Sequence, residues 1–292
     1  MTRYQSIAAL AAAATEKGTT ISDMVLKEQA AEIEQPEEEV FERMAATLDA
    51  MRHAAAEGIR PETRSLSGLS GGDGHRMRQY AMTGRALGGE FMARATSIAL
   101  AIAEYNAAMG KIVAAPTAGS CGILPAAVLT MMEKRGISER AAILSLFTAG
   151  GVGMVIANQA SISGAEGGCQ AECGAASAMA AAALVELAGG DPDMVVNAVA
   201  IAIKNLLGLV CDPVAGLVEV PCIKRNAGGI FIAIGAADMA LSGIRSVIPA
   251  DEVISAMREV GEALPGSLRE TAEGGLASTP TGLAIKARIF GD

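Results

Sequence analysis

The chain has 292 residues, 51% apolar and 19% charged, with a formal net charge of −9. That length can bury a large core, and the composition excludes a mainly disordered chain. The acidic balance excludes a broad nucleic-acid surface, which needs clustered Lys and Arg, so an anionic small substrate would have to meet a few locally placed cations.

The N-terminal stretch MTRYQSIAALAAAATEKGTT is Ala-rich but interrupted by Glu16 and Lys17. It is a weak match to a signal peptide, with no clear compact apolar core followed by a cleavage site, and it is read as a first amphipathic helix. Residues 1–60 form a charged helical region in which the run EQPEEEVFERMAATLDAMRHAAAEG has an acidic first turn, a solvated Glu-rich face and Gly58 placed to end it. His53 falls on that charged helix and is expected at the surface. SLSGLSGGDG, residues 65–74, reads as a Gly/Ser loop.

Phe91, Ala95, Ile98, Ile102 and Tyr105 recur at helical spacing and predict a helix from Gly88 to Gly110. After the loop APTAGSCG, a helix is predicted from Ile123 to Lys134, stopped by Gly136, with Ser138 and Glu139 starting the next. Further helices are predicted over Gln170–Leu187, Pro192–Leu207, Gly229–Ser242 and Ala250–Leu264. Asp191 before Pro192 combines a capping oxygen with a proline at the first helical position. No period-two strand pattern and no internal repeat stands out. The expected fold is all-α, one compact helical catalytic domain over residues 1–292. With only 3% aromatics, its core is built from Ala, Val, Ile, Leu and Met.

Two uncharged runs, Ile112–Met132 and Ala141–Ala165, exceed the length of a membrane span. Pro116, Gly119 and Pro125 interrupt the first, and Asn158, Gln159, Ser161 and Ser163 interrupt the second. Neither run has Trp or Tyr at its ends, so buried helices of a soluble core are the preferred reading over a helical membrane protein.

Four polar, glycine-rich segments break the most apolar part of the chain: SGGDG at 70–74, PTAGSCG at 116–122, ASISGAEGGCQAEC at 160–173 and LVCDPVAGLVEVPCIKRN at 209–226. Polar loops amid core helices are costly unless they are satisfied or line a site. Cys121, Cys169, Cys173, Cys211 and Cys222 all lie in these segments. An odd number of cysteines over about a hundred residues does not suit a secreted disulfide framework, and a reducing cytoplasm fits better. Their spacing is not that of a zinc ribbon. Buried thiols can also be inert small hydrophobes. That is less comfortable for Cys211 and Cys222, which have Pro213 and Pro221 beside them and are expected on rigid irregular structure near Asp212, Lys224 and Arg225.

The stretches PTAGSCGILPA, ANQASISGAEGGCQAECG, KNLLGLVCDPVAGLVEVPCIKRNA and RETAEGGLASTPTG resemble the α subunit of the iron–sulfur-dependent bacterial L-serine dehydratases. The resemblance runs from about the SGGDG loop onward. It implies an all-helical catalytic domain with an oxygen-sensitive [4Fe–4S] cluster, three Cys ligands and one iron open to substrate. It also implies conversion of serine to pyruvate and ammonia without pyridoxal phosphate. The implied ligands are Cys169, Cys211 and Cys222, which leaves Cys121 and Cys173 as other thiols. Single-chain members carry an additional regulatory-type domain, and some end in a cysteine that can reach the cluster. This chain ends RIFGD and resembles the two-subunit form, so a separate small β subunit is expected.

Such chemistry needs a Lewis acid for the hydroxyl, a base for the α-proton and cations to offset the buried charge. Lys224 and Arg225 are the nearest cations in sequence to a proposed ligand. Thr117, Gly119 and Ser120, with Ser161 and Ser163, are candidate donors to the substrate carboxylate, or ordinary helix caps. The base is open among Lys224, His75, Glu219, Glu172 and Asp212; His75 has the ordinary pKa nearest neutrality. Glu166 can be a helix-start acid only. A cluster-dependent cysteine or cystine desulfidase shares these motifs. A pyridoxal-phosphate dehydratase would need a Schiff-base Lys and usually an α/β fold.

Overall fold

A computed structural model describes residues 5–291; Met1–Tyr4 of the first predicted segment lie outside the described residues. Among the described residues there are helices and no strand. The helices are α1 (Ile7–Glu16), α2 (Ile21–Glu32), α3 (Glu37–Gly58), α4 (Asp73–Ala81), α5 (Gly89–Ala107), α6 (Ile123–Arg135), α7 (Glu139–Gln159), the single turn α8 (Gly164–Gly167), α9 (Ala175–Leu187), α10 (Pro192–Lys204), α11 (Cys222–Leu241), α12 (Ala250–Ala263) and α13 (Pro280–Phe290). The fold is all-α, as expected.

α9 is the centre of the core. Every residue from Ala175 to Val185 is buried, and α6, α7, α10 and α11 surround it. A helix that is apolar all round can only be an interior one. Its run of alanines lets neighbouring backbones come close, and its polar Ser177 donates to the Gly229 carbonyl at 3.0 Å. The N-terminal helices join the same core, with α1 against α10, α2 against α7 and α3 against α5. Glu37, Glu38 and Glu39 remain exposed on the first turn of α3. α7 is long and apolar enough to cross a membrane, and 61% of its apolar window is buried inside the protein. The run from Ile112 divides between a loop and α6.

Several predicted signals act locally as read. Ser138 accepts from the Ala141 N–H, Asp191 accepts from the Met194 N–H, and Gly136 ends α6 at a φ of 66°. α5 and α10 end three residues before the predicted Gly110 and Leu207, at Ala107 and Lys204, and two helix starts also differ. α4 begins inside the predicted SGGDG loop, because Glu104 of α5 accepts from the N–H groups of Asp73 and Gly74 at 2.8 and 3.0 Å. α11 starts at Cys222, seven residues before the predicted Gly229, immediately after Pro221.

Candidate active site

Four of the five thiols gather where the chain is least regular. Cys169 immediately precedes, and Cys173 lies within, a π-helical turn, Gln170–Gly174, that leads into α9. A π turn widens the helix by one residue and recurs at functional sites. Here it leaves the Cys169 and Cys173 sulfurs 3.4 Å apart. Cys211 sits in an extended segment bridged to Arg269, its N–H donating to the Leu268 carbonyl and its carbonyl accepting from Glu270, both at 2.8 Å. The RETAEGG stretch therefore backs this thiol. Cys222 opens α11, a correction to the expectation of irregular structure at that position.

All five cysteines are buried and free. Burial, then the charges of Cys169 and Glu172, pushes the Cys222 thiol up to about 12 and holds Cys211 higher still. Cys169 is drawn below its ordinary value, first by the Cys173 thiol and then, against burial, by the Arg225 cation. Cys173 is correspondingly raised. Cys121 is raised to about 12 by burial alone.

Glu172, on the π turn, reaches the middle of this group. Its Oε1 accepts from the Thr117 hydroxyl at 2.7 Å, and its Oε2 lies 3.9 Å from the Cys211 sulfur. Burial holds its carboxyl above the usual range. Two glycines let it fit there. A Cβ at Gly119 would lie 3.1 Å from Oε1, and one at Gly164 would lie 2.7 Å from Oε2 and 3.1 Å from the Cys211 sulfur. Arg225 is the nearby cation; it pairs with Asp212 at 2.8 Å and donates to the Val210 carbonyl at 2.8 Å.

The other predicted residues are distributed as follows. The hydroxyl of Thr117 is engaged by Glu172, and Ser120 is fully buried with its Oγ 3.2 Å from Thr117 Oγ1. The Gly119 carbonyl accepts from Asn226. Ser161 donates to Glu166 at 2.5 Å and accepts from the Ser163 N–H at 3.0 Å. Ser163 precedes α8 without a side-chain cap. His75 is on α4, not in a loop, with Nδ1 3.2 Å from the Ile59 carbonyl. Lys224 is largely exposed and paired with Asp73. The polar partners of His75 and Lys224 are the Ile59 carbonyl and Asp73, not a thiol. Glu219 is buried and accepts from Ser67 and Ser70 at 2.8 and 2.7 Å, fastening the 65–74 loop.

Asn226, which the sequence reading did not single out, braces the candidate site. It is fully enclosed on α11; Nδ2 donates to the carbonyls of Gly119 and Cys222 at 2.8 and 2.9 Å, and Oδ1 accepts from the Gly122 N–H at 2.8 Å. Its signal was a lone amide one helical turn after Cys222, ahead of an apolar run.

The serine dehydratase alpha chain family model matches residues 16–277. A probable L-serine dehydratase alpha chain of Bacillus subtilis is 50% identical over 288 residues, covering 99% of this chain and 96% of that one. The L-serine dehydratase alpha chain of Peptoniphilus asaccharolyticus is 45% identical over 271 residues, 93% of each. An L-serine dehydratase of Streptomyces coelicolor is 40% identical over 271 residues, 90% of this chain but 58% of that protein.

Proposed function

The chain belongs to the serine dehydratase alpha chain family, and from that premise we propose that it is the catalytic subunit of a cytoplasmic [4Fe–4S]-dependent L-serine ammonia-lyase. The observation that carries this reading is the gathering of Cys169, Cys211 and Cys222 around Glu172 and Arg225.

The donor set suits such a cluster. Among the described residues, no three His, Cys, Asp or Glu side chains converge on a single-ion site. A cluster takes each thiolate on a different iron, so its ligands need not meet at one point. Cys211 and Cys222 resist ionisation in the bare chain, whereas Cys169 ionises more readily, and bound metal charge would favour the thiolate at all three. Cys169, Cys211 and Cys222 would hold it. When bound, a cluster with one iron free of protein ligand supplies a Lewis acid for the departing hydroxyl. Arg225 offsets part of the site's negative charge. Asn226 holds the 117–122 loop against α11, and Thr117 orients Glu172. Serine loses its α-proton and hydroxyl as water, and the resulting enamine tautomerises and hydrolyses to pyruvate and ammonium.

A second, small chain completes the assembly in this reading. It is supported by the near-complete match to proteins named alpha chains, against 58% coverage of the longer Streptomyces protein.

The test is anaerobic purification from the native source, followed by iron and sulfide analysis and a pyruvate assay with serine and with cysteine. Expected are a brown protein, activity on serine that decays in air, and a copurifying small chain. Full activity in an iron-free preparation overturns the cofactor assignment. Preference for cysteine would favour a desulfidase instead. A fully active chain without a partner overturns the two-chain reading.

A further inference from the structure

The groups within hydrogen-bonding reach of Glu172 are neutral, the Thr117 hydroxyl and the Cys211 thiol, while Arg225 and Glu270 act on it only through their charge. Oε1 is satisfied by Thr117 at 2.7 Å, whereas Oε2 has only the Cys211 thiol, at 3.9 Å. A cysteine that ligates iron does so as a thiolate and has no proton to donate. With Cys211 as a ligand, Oε2 is left as a half-buried acceptor without a donor at the edge of the metal site. A half-buried carboxylate oxygen without a protein donor can be reached from the site, and a cation that arrives with the substrate would pair with it there. Arg225, the site's own cation, is engaged by Asp212, the Val210 carbonyl and the Cys169 thiol. The amino acid proposed above as substrate carries one cationic group, its α-ammonium.

Resting on the lyase reading, we infer that Glu172 is a substrate-binding residue that takes the α-ammonium group of the amino acid. Thr117 fixes the carboxylate's orientation, and Gly119 and Gly164 leave it room. This makes Glu172 a specificity device: hydroxy acids without an amino group do not gain from it.

The test compares L-serine with 3-hydroxypropionate, which keeps the carboxylate and the β-hydroxyl but lacks the amino group. Wild type, Glu172→Gln, Glu172→Asp and Thr117→Val are loaded anaerobically and their iron content is measured. KM for serine and the inhibition constant of 3-hydroxypropionate are then determined. Losing one charged hydrogen bond should raise KM in Glu172→Gln by roughly ten- to a hundredfold. The inhibition constant should stay within about twofold, because the binding lost belongs to the amino group alone. Glu172→Asp, which keeps the charge, and Thr117→Val should show smaller rises in KM of the same selectivity. Parallel changes in both constants, or no change in either, would overturn the assignment. If Glu172→Gln does not hold iron, the other two variants decide by the same criterion. A wild-type protein that forms no pyruvate refutes the lyase reading; an active wild type with an unchanged ratio of constants refutes only the role of Glu172.

Discussion

Asn226 grips Gly119 across 107 residues of chain, donating to its carbonyl at 2.8 Å while accepting from the N–H of Gly122 at 2.8 Å. The same amide donates to the Cys222 carbonyl. One side chain therefore ties the first turn of α11, and with it a proposed ligand, to the loop that orients Glu172.

Asn226→Ala would leave the Gly122 N–H buried without a partner and deprive the part-buried Gly119 carbonyl of its side-chain donor. Each such loss costs about 1–3 kcal/mol. The expected result in a denaturant titration is a destabilisation of about 2 kcal/mol or more, together with a raised KM for serine as the loop loosens. A variant with wild-type midpoint and KM would show that the clamp is dispensable.

The thiols should separate into two classes by iron content. Cys169→Ala, Cys211→Ala and Cys222→Ala should each lose iron and activity. Cys173→Ala should keep its cluster and most activity, although its sulfur is 3.4 Å from Cys169. If all four thiols were ligands, no iron would remain open to the hydroxyl. Cys121→Ser should also keep iron, with an effect confined to KM. Loss of the cluster in Cys173→Ala with retention in Cys169→Ala would reverse the assignment.

Glu186 provides a pH test remote from the thiols. It accepts from the Thr148 hydroxyl at 2.6 Å and the Ser22 N–H at 3.3 Å, both through Oε2. Burial is the main cause that raises its folded pKa. The folded state then binds this proton more tightly than the unfolded state, so the contribution to stability falls as pH rises from the unfolded value through the raised one. Glu186→Gln keeps an acceptor for both donors and removes the charge. It should have a higher melting temperature than wild type at pH 7 and lose that advantage near pH 4. An advantage that grows on acidification would refute the account.

Gly58 is the last residue of α3 and Gly150 lies inside α7, and the two should respond oppositely to alanine. A Cβ at Gly58 would lie 2.0 Å from the Ala101 carbonyl oxygen of α5. Overpacking of this kind costs about 1–3 kcal/mol, so Gly58→Ala should destabilise by at least that much. A Cβ at Gly150 meets nothing within 4 Å. Gly150→Ala should stabilise by about 0.5–1 kcal/mol through helix propensity. Equal shifts in the two unfolding midpoints would contradict the packing argument.

The sequence alone determined the helical class, the main helices and several of their ends, because hydrophobic period and capping residues act within a few positions. Asp191 and Ser138 cap the helices that they were read to cap, and Gly136 turns the chain where predicted. The irregular segments rich in glycine and cysteine were also visible as polar interruptions of an apolar chain. Only the tertiary structure decided what those segments do together. The start of α4 depends on Glu104, some thirty residues later, and Cys222 opens a helix although Pro221 and the preceding loop suggested otherwise. His75 and Lys224 had suitable chemistry but are held by Ile59 and Asp73. Glu172 was one carboxylate among several until Thr117, Gly119, Gly164 and Cys211 were seen around it. Local pattern records which groups a helix turn can satisfy by itself; it carries no record of which buried carboxylate or amide is met by a residue fifty or a hundred positions away.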